Sequence, residues 1–303
     1  MTASPTGIGA HAGGFDIRPD VLNGIQQAST NTGVDFAYLM AQAAKESGFD
    51  PNAKSKASSA SGLYQFVEQT WLSVVRKHGA EYGLGDMASK IKLGDDGRLH
   101  VADQALRKQI LDLRRDPTIS AAMAAEHAAD NQKSLEAKLD RPVNPADLYL
   151  AHFLGLNGAV NFLTDMEHDP NQGAASACPK AAAANRSVFY RADGSQRTLK
   201  EIYDRFESKM SSEMAAYDDL EGVSTGSGGT MLADVQAPRS CAGAATGDGA
   251  IYGHTNLGGI LSPLMLVTLA SLPTARDRDG DSNANAQRTG SLFSHALVGQ
   301  TAA

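Results

Sequence analysis

Apolar side chains recur every three to four residues between residues 20 and 210, which is the spacing of amphipathic helices. Val21 and Ile25 begin this pattern just after Pro19, a residue favoured in the first turn of a helix, and Gly33 stands where glycine commonly ends one. This part of the chain shows no sustained alternation of period two, the mark of a strand. The pattern therefore predicts a mainly α fold.

A second helix is predicted to begin after Asp35, which can cap it, and to end at Gly48. Glu46 lies in its last turn and borders its apolar stripe, about 20° from Leu39 on the helical wheel. A carboxyl group there is near the negative end of the helix dipole and partly shielded from water, and both effects favour the protonated form. Glu46 is thus a candidate general acid, although most glutamates at helix ends are simply solvated.

Further helices are predicted around residues 71–78, after the Asp116-Pro117 pair, at 148–153 and at 199–210. Beyond them the chain becomes rich in glycine and almost free of aromatic residues. We therefore expect three regions, namely a flexible N-terminus at 1–15, a helical domain at 16–219 and a low-complexity, largely disordered tail at 220–303. Within the tail, the apolar run at 257–272 is shorter than the roughly 20 residues that cross a bilayer. A buried or interfacial segment is expected there, with a membrane anchor as the alternative.

Net charge and cysteine content limit the classes of partner and metal site that the sequence supports. The net charge of −7 gives no basic surface for nucleic acid, so no nucleic-acid partner is expected. Cys178 and Cys241 match no metal or redox spacing, and whether they pair is left open. The acidic run at 277–283 is similar to a calcium loop, but Arg288 occupies the position of the last ligand, so a solvated turn is expected and no metal site.

Two short motifs carry the candidate chemistry. Residues 46–53 read ESGFDPNA, and after a loop rich in serine and alanine residues 60–66 read ASGLYQF. Both motifs, in this register, resemble the lytic transglycosylase (SLT domain) family of the lysozyme-like superfamily, and the resemblance extends over roughly 21–162. It implies a lysozyme-like helical domain that acts on peptidoglycan.

The resemblance also implies roles for single residues. Glu46 matches the sole catalytic acid and base, and Ser47 matches a serine that helps to position the substrate or the carboxylate. Gln65 matches a glutamine that lines the saccharide cleft, and Gly62 is expected to let the backbone approach a sugar. Tyr64 replaces a methionine of the family, and its ring is expected to stack on a sugar ring.

A third motif departs from the family. Residues 151–155 read AHFLG, where many members have AYNAG, so His152 stands in place of the tyrosine. Tyr149 lies three residues earlier on the same predicted helical face and is a candidate to supply the missing hydroxyl. Both residues are kept as candidate substrate-binding residues, with plain core packing as the alternative.

The implied reaction needs no metal and no organic cofactor. Glu46 protonates the β-1,4 bond between N-acetylmuramic acid and N-acetylglucosamine and then accepts the C6 hydroxyl proton, which leaves 1,6-anhydro ends. Asp50 and Glu68, the nearest acidic residues in sequence, are expected in a turn and at a helix start rather than as a second catalytic group. The alternatives are a hydrolytic muramidase and a non-catalytic peptidoglycan-binding assembly protein of a flagellar or secretion apparatus.

Location and partners follow from this substrate. We expect a monomer that binds peptidoglycan glycan strands in the periplasm or cell envelope, without a recognisable signal peptide at its start. Contact with an envelope-spanning apparatus through the tail is an added expectation. The basic residues Arg107, Lys108, Arg114 and Arg115 are expected on a solvated face, with contact to the carboxylates of peptide stems as the alternative.

Overall fold

Residues 9–56 and 58–220 are described by the computed structural model, and they are mostly helical, as the sequence predicts. The helices are α1 (Pro19–Thr32), α2 (Phe36–Ser47), α3 (Glu68–His78), α4 (Gly85–Ser89), α5 (Gln104–Asp112), α6 (Pro117–Leu139), α7 (Pro145–Leu154), α8 (Leu156–His168), α9 (Ala174–Ala177), α10 (Pro179–Ala184), α11 (Arg186–Phe189) and α12 (Leu199–Met214). Two antiparallel hairpins join β1 (Ala10–Ala12) to β2 (Phe15–Ile17) and β3 (Lys92–Leu93) to β4 (Leu99–His100).

Several predictions fall outside the described residues. These predictions concern the tail after Leu220, which includes the apolar run at 257–272, the acidic run at 277–283 and Cys241. Among the described residues, no helix combines the length and the apolar character that a membrane span requires.

The predicted ends of the first two helices are confirmed. Pro19 occupies the first position of α1, and Gly33 ends that helix in the left-handed conformation, with φ of 75°. The side chain of Asp35 accepts a hydrogen bond from the backbone N–H of Tyr38, and Gly48 ends α2 with φ of 60°. Local capping chemistry therefore fixes the length of the helix that carries Glu46.

Helix α6 is the long element against which the others pack. It begins at the Asp116-Pro117 pair, as predicted, and it contacts α1, α2, α3, α7 and α8. Gly24 of α1 allows a close crossing with α6, because a Cβ atom there would lie 3.1 Å from the Cα atom of Thr118. The core thus forms around α6, with α2 running beside it.

The start of α7 is fixed by a buried carboxylate. Asp147 has no exposed surface, and it forms a reciprocal capping box with Asn144. Arg141 lies 2.8 Å from one of its oxygens, and the hydroxyl of Tyr203 on α12 donates to the other over 3.0 Å. These bonds tie α12 to the first turn of α7.

Aromatic packing continues this contact along α7. The ring of Phe206 on α12 lies 5.3 Å from that of Tyr149 and 5.2 Å from that of Phe153, centroid to centroid. All three rings are buried. Helix α12 is therefore an integral part of the domain core, and it supports α7 from behind.

The first hairpin overlaps the segment 1–15 that the sequence leads us to expect as flexible. Ala10 to Ile17 form the first hairpin, and Ile17 is buried. The ring of Phe15 makes an edge contact with that of Phe49, which in turn contacts Tyr217 near the end of the described residues. Each strand has only 3 residues, which is too short for alternating apolar and polar side chains to reveal a strand in the sequence.

These contacts lead us to propose that the folded domain extends from the first hairpin to about residue 219. A chain ending at Leu220 is expected to unfold at nearly the same temperature as the full chain, since it retains the core described above. The matched chain ending at Thr198 lacks α12 and should be insoluble or unfolded, because the rings of Tyr149 and Phe153 would be uncovered. Thermal unfolding followed by circular dichroism measures both. If the chain that ends at Leu220 does not fold, the proposed domain boundary near residue 219 is wrong.

Candidate active site

Glu46 projects from a helix that is buried along almost its whole length. Every residue of α2 from Phe36 to Glu46 is buried. Only 3% of the Glu46 side chain is exposed, although the residue stands in the last turn of the helix. The carboxyl group is therefore shielded from bulk water, as expected from its place beside the apolar stripe.

His152 contacts this carboxyl group directly. Its Nε2 lies 3.0 Å from Oε1 of Glu46, and 27% of the imidazole side chain is exposed. The two residues are 106 positions apart in sequence and meet because α7 approaches the end of α2. The imidazole thus links the shielded carboxyl group to the solvent-facing side of the site.

Gln42 binds the other nitrogen of the same ring. Its Nε2 lies 3.3 Å from Nδ1 of His152, and Gln42 stands one helical turn before Glu46 on α2. An amide N–H that donates to Nδ1 leaves the ring proton on Nε2, where it faces the carboxylate. Gln42, His152 and Glu46 therefore form one chain of hydrogen bonds, and α2 supplies both ends of it.

Two buried tyrosines lie close enough to Glu46 to feel its charge. Tyr149 stacks against His152 with ring centroids 6.4 Å apart, and among the described residues its hydroxyl has no hydrogen-bond partner. Burial, and secondly the charge of Glu46, raise the pKa of Tyr149 well above its usual value. The same two causes raise the pKa of Tyr38. Both hydroxyls thus stay protonated, and the bond to Glu46 is made by His152 rather than by Tyr149.

Lys45, the neighbour of Glu46 in sequence, pairs with α12 instead. Its Nζ lies 3.5 Å from an oxygen of Glu213 and 5.8 Å from the ring centroid of Tyr149. Burial lowers the pKa of Lys45 to about 8, and the nearby Glu213 offsets part of this decrease. A buried cation therefore adds a second link between α2 and α12.

The second motif forms a tight turn at residues 60–66 that packs against the end of α2. The Ser47 hydroxyl donates to the backbone carbonyl of Leu63 over 2.8 Å. The backbone N–H of Gly62 donates to the carbonyl of Ala53, also over 2.8 Å. Ser47 thus holds the 60–66 turn in place next to Glu46.

Gly62 meets a different neighbour from the one expected. Its φ is 88°, and a Cβ atom there would lie 1.8 Å from the carbonyl oxygen of Arg114. The glycine therefore allows the 60–66 turn to approach the backbone of Arg114 closely. Any side chain would force the two segments apart.

Tyr64 and Gln65 also make internal contacts. Tyr64 is 3% exposed, and its hydroxyl donates to the carbonyl of Leu39. No face of its ring is open for the expected stacking on a sugar. The side-chain N–H groups of Gln65 donate to the carbonyls of Ala53 and Gly62, so the amide braces the turn and leaves its oxygen as the group available to a ligand.

The expectation that Arg114 lies on a solvated face is wrong. Arg114 is buried, and its guanidinium donates to the carbonyls of Ser59 and Phe66 at the two ends of the turn. Of the other basic residues in that group, Arg107 pairs with Glu68 and Lys108 pairs with Asp112. Arg114 therefore braces the 60–66 turn, whereas Lys108 is exposed, as expected.

The two other acidic residues near the motif have structural partners. Asp50 is exposed, and one of its oxygens accepts the backbone N–H of Asn52 in a turn. Glu68 begins α3 and pairs with Arg107. Both arrangements agree with the roles expected from the sequence.

Sequence reasoning missed Gln42 and the bracing role of Arg114. A signal for Gln42 was present, because it is the only uncharged polar residue between Phe36 and Lys45 apart from the Tyr38 hydroxyl, and it stands four positions before Glu46. Arg114 gave no such signal, since its partners are backbone carbonyls some 50 residues away.

The geometry agrees with one comparison to known families. The family model described as "Transglycosylase SLT domain" matches residues 23–94. The match includes Glu46, Ser47 and the 60–66 turn, and it is consistent with the lytic transglycosylase family of the lysozyme-like superfamily. Tyr149 and His152 lie after the matched segment, and so does the supporting helix α12.

The buried Lys45 makes the free energy of unfolding of the domain depend on pH. Its pKa is about 8 in the folded chain, against about 10.4 for an unfolded lysine. Between these values the unfolded chain binds the extra proton, so the free energy of unfolding should rise with pH, by at most about 1.4 kcal/mol per pH unit. Urea unfolding of the natural chain and of Lys45→Met between about pH 8 and about pH 9.5, below the pKa of about 10 of unfolded tyrosines, measures this rise, which the variant should lack.

Lys200→Met is the matched control, because Lys200 is exposed and pairs with Asp204, which raises its pKa. This control should follow the natural chain over the same range. A constant difference in stability between the natural chain and Lys45→Met would contradict the assignment.

Proposed function

We propose that this SLT-domain protein of the lytic transglycosylase family cleaves peptidoglycan glycan strands with Glu46 as its catalytic acid and base. The family match supports peptidoglycan degradation of the transglycosylase type. The observation that carries the proposal is the shielded carboxyl group of Glu46 with His152 on one of its oxygens. The substrate lies in the periplasm or cell envelope, and we place the enzyme there.

In the first step, protonated Glu46 gives its proton to the oxygen that links N-acetylmuramic acid to N-acetylglucosamine. The bond from this oxygen to C1 of the muramic acid breaks, and the N-acetylglucosamine side leaves as an alcohol. The acetamide carbonyl of the substrate supports the positive charge that develops at C1. A carboxyl group shielded from water is suited to this step, because its proton is given to the substrate rather than to solvent.

In the second step, the Glu46 carboxylate accepts the proton of the C6 hydroxyl. The C6 oxygen then bonds to C1 and closes a 1,6-anhydro ring, and Glu46 is protonated again for the next cycle. Atoms and charges balance without water. One carboxyl group serves both steps, which suits a site where Asp50 and Glu68 have structural partners.

His152 and Gln42 act as positioning residues in this scheme. Gln42 donates to Nδ1 and so places the ring proton on Nε2, which donates to Oε1 of Glu46. This bond persists whether Glu46 is charged or neutral, because a carboxyl group still accepts through its carbonyl oxygen. It holds Oε1 in place and leaves Oε2 to exchange the proton with the substrate. His152 thereby takes the place of the tyrosine found in many members of the family.

The products released from purified sacculi test the reaction. We expect soluble fragments with anhydro ends, which are lighter by one water than hydrolytic ends and resist borohydride reduction. Glu46→Gln should release about 10²- to 10⁴-fold less, because the amide keeps the shape of the side chain but cannot exchange a proton. Its thermal unfolding should stay nearly unchanged. Mass spectrometry of the fragments and circular dichroism of the variant make both measurements.

Asp50→Asn and Glu68→Gln are the matched controls, and each should retain most of the activity. Reducible ends together with loss of activity in either control would show a two-carboxylate muramidase instead. Binding of the natural chain to sacculi without release of fragments would show a non-catalytic assembly protein, which could meet an envelope-spanning apparatus through its tail. Undiminished lysis by Glu46→Gln would remove Glu46 from the mechanism.

A further inference from the structure

A second cluster of ionisable side chains lies where the end of α3 meets α6, and the proposed reaction does not use it. His78 is the last residue of α3, and Glu81 follows in the single helical turn Gly79–Tyr82. Glu126 and Asp130 stand one turn apart on α6. His78 is buried, whereas Glu81 is largely exposed to solvent.

Two carboxylates converge on the same nitrogen of His78. Its Nδ1 lies 3.2 Å from Oε2 of Glu126 and 3.6 Å from Oε1 of Glu81. One N–H group cannot direct its single proton well at both oxygens. A metal ion can bind all three atoms, which lie within 4.8 Å of one another.

The spacing of these atoms suits a zinc ion. Bonds of about 2.0 to 2.2 Å from zinc to histidine nitrogen and carboxylate oxygen place neighbouring tetrahedral ligands roughly 3.3 to 3.6 Å apart. The two distances at Nδ1 lie close to this range. The two glutamate oxygens lie within 4.8 Å of each other, and the exposed Glu81 side chain is free to turn toward the ion.

Further hydrogen bonds orient the candidate ligands. Nε2 of His78 lies 2.9 Å from Asp130, and Lys77 holds the other oxygen of that carboxylate. A ring proton on Nε2 leaves the lone pair of Nδ1 for a metal, which is the arrangement of histidine ligands backed by a carboxylate. The Tyr82 hydroxyl donates to Oε1 of Glu126 over 2.6 Å, which leaves Oε2 of Glu126 directed at the site.

We propose that His78, Glu81 and Glu126 bind one Zn²⁺ ion, which joins the end of α3 to α6. One imidazole and two carboxylates suit zinc better than magnesium or calcium, which prefer oxygen ligands. The two glutamates balance the charge of the ion, and the exposed Glu81 provides its path of entry. Three protein ligands leave the fourth tetrahedral position to a water molecule.

Zinc binding by the full chain tests this site. The protein is stripped with a chelator, freed of it by gel filtration and titrated with zinc chloride in a calorimeter. We expect one ion per chain and a higher unfolding temperature when zinc is present. Asp130→Asn should weaken binding by about 10- to 100-fold, since it removes the carboxylate behind His78.

Variants separate this site from chance binding. Glu81→Gln should lose most of the affinity, and because Glu81 is largely exposed its loss should leave the fold intact without zinc. His78→Gln should abolish binding. His100→Gln is the matched control, because His100 is exposed and faces a single carboxylate, Asp96, so its zinc binding should equal that of the natural chain.

Two outcomes would overturn the proposal. The first is the absence of stoichiometric binding, together with an unfolding temperature that does not respond to zinc. The second is equal binding by the natural chain, Glu81→Gln and His78→Gln, which would place the ion elsewhere. Neither outcome bears on Glu46, because release of fragments from sacculi is measured separately.

Discussion

The hydrogen bond from His152 to Glu46 is the interaction on which the rest of the site depends. It requires a carboxyl group shielded at the end of a buried helix, and an imidazole brought to it from a helix about 100 residues later. Gln42 fixes the ring from the side of α2. The helices packed against α2 and α7 keep Glu46 and His152 within hydrogen-bond distance.

Support for α7 comes from outside the segment that matches the SLT family model. The Asp147 carboxylate ties the start of α7 to Tyr203, and Phe206 packs against Tyr149 below the histidine. Lys45 adds an ion pair from α2 to the same supporting helix. The matched segment therefore carries Glu46, the proposed proton donor, whereas the helices that follow it determine where His152 lies.

Much of the fold was predictable because its signals are local. Proline, aspartate and glycine at helix ends act through their own backbone neighbours, so Pro19, Asp35 and Gly48 mark the helix ends where the structure has them. The internal contacts of Gly62 and Tyr64 were not predictable, because they are made with a distant carbonyl of Arg114 and with the core around α2. Motif spacing reports which residues are present, whereas the partner of each depends on contacts across the chain.

The protonation of the His152 ring tests the central claim most directly. Nitrogen NMR of labelled protein at mildly alkaline pH shows which ring nitrogen carries the proton, and His152→Gln assigns the signals. The account predicts a proton on Nε2 and none on Nδ1, with a shift of the Nε2 signal when Glu46 is replaced by glutamine. A proton on Nδ1, or an Nε2 signal that does not respond to that replacement, would contradict it.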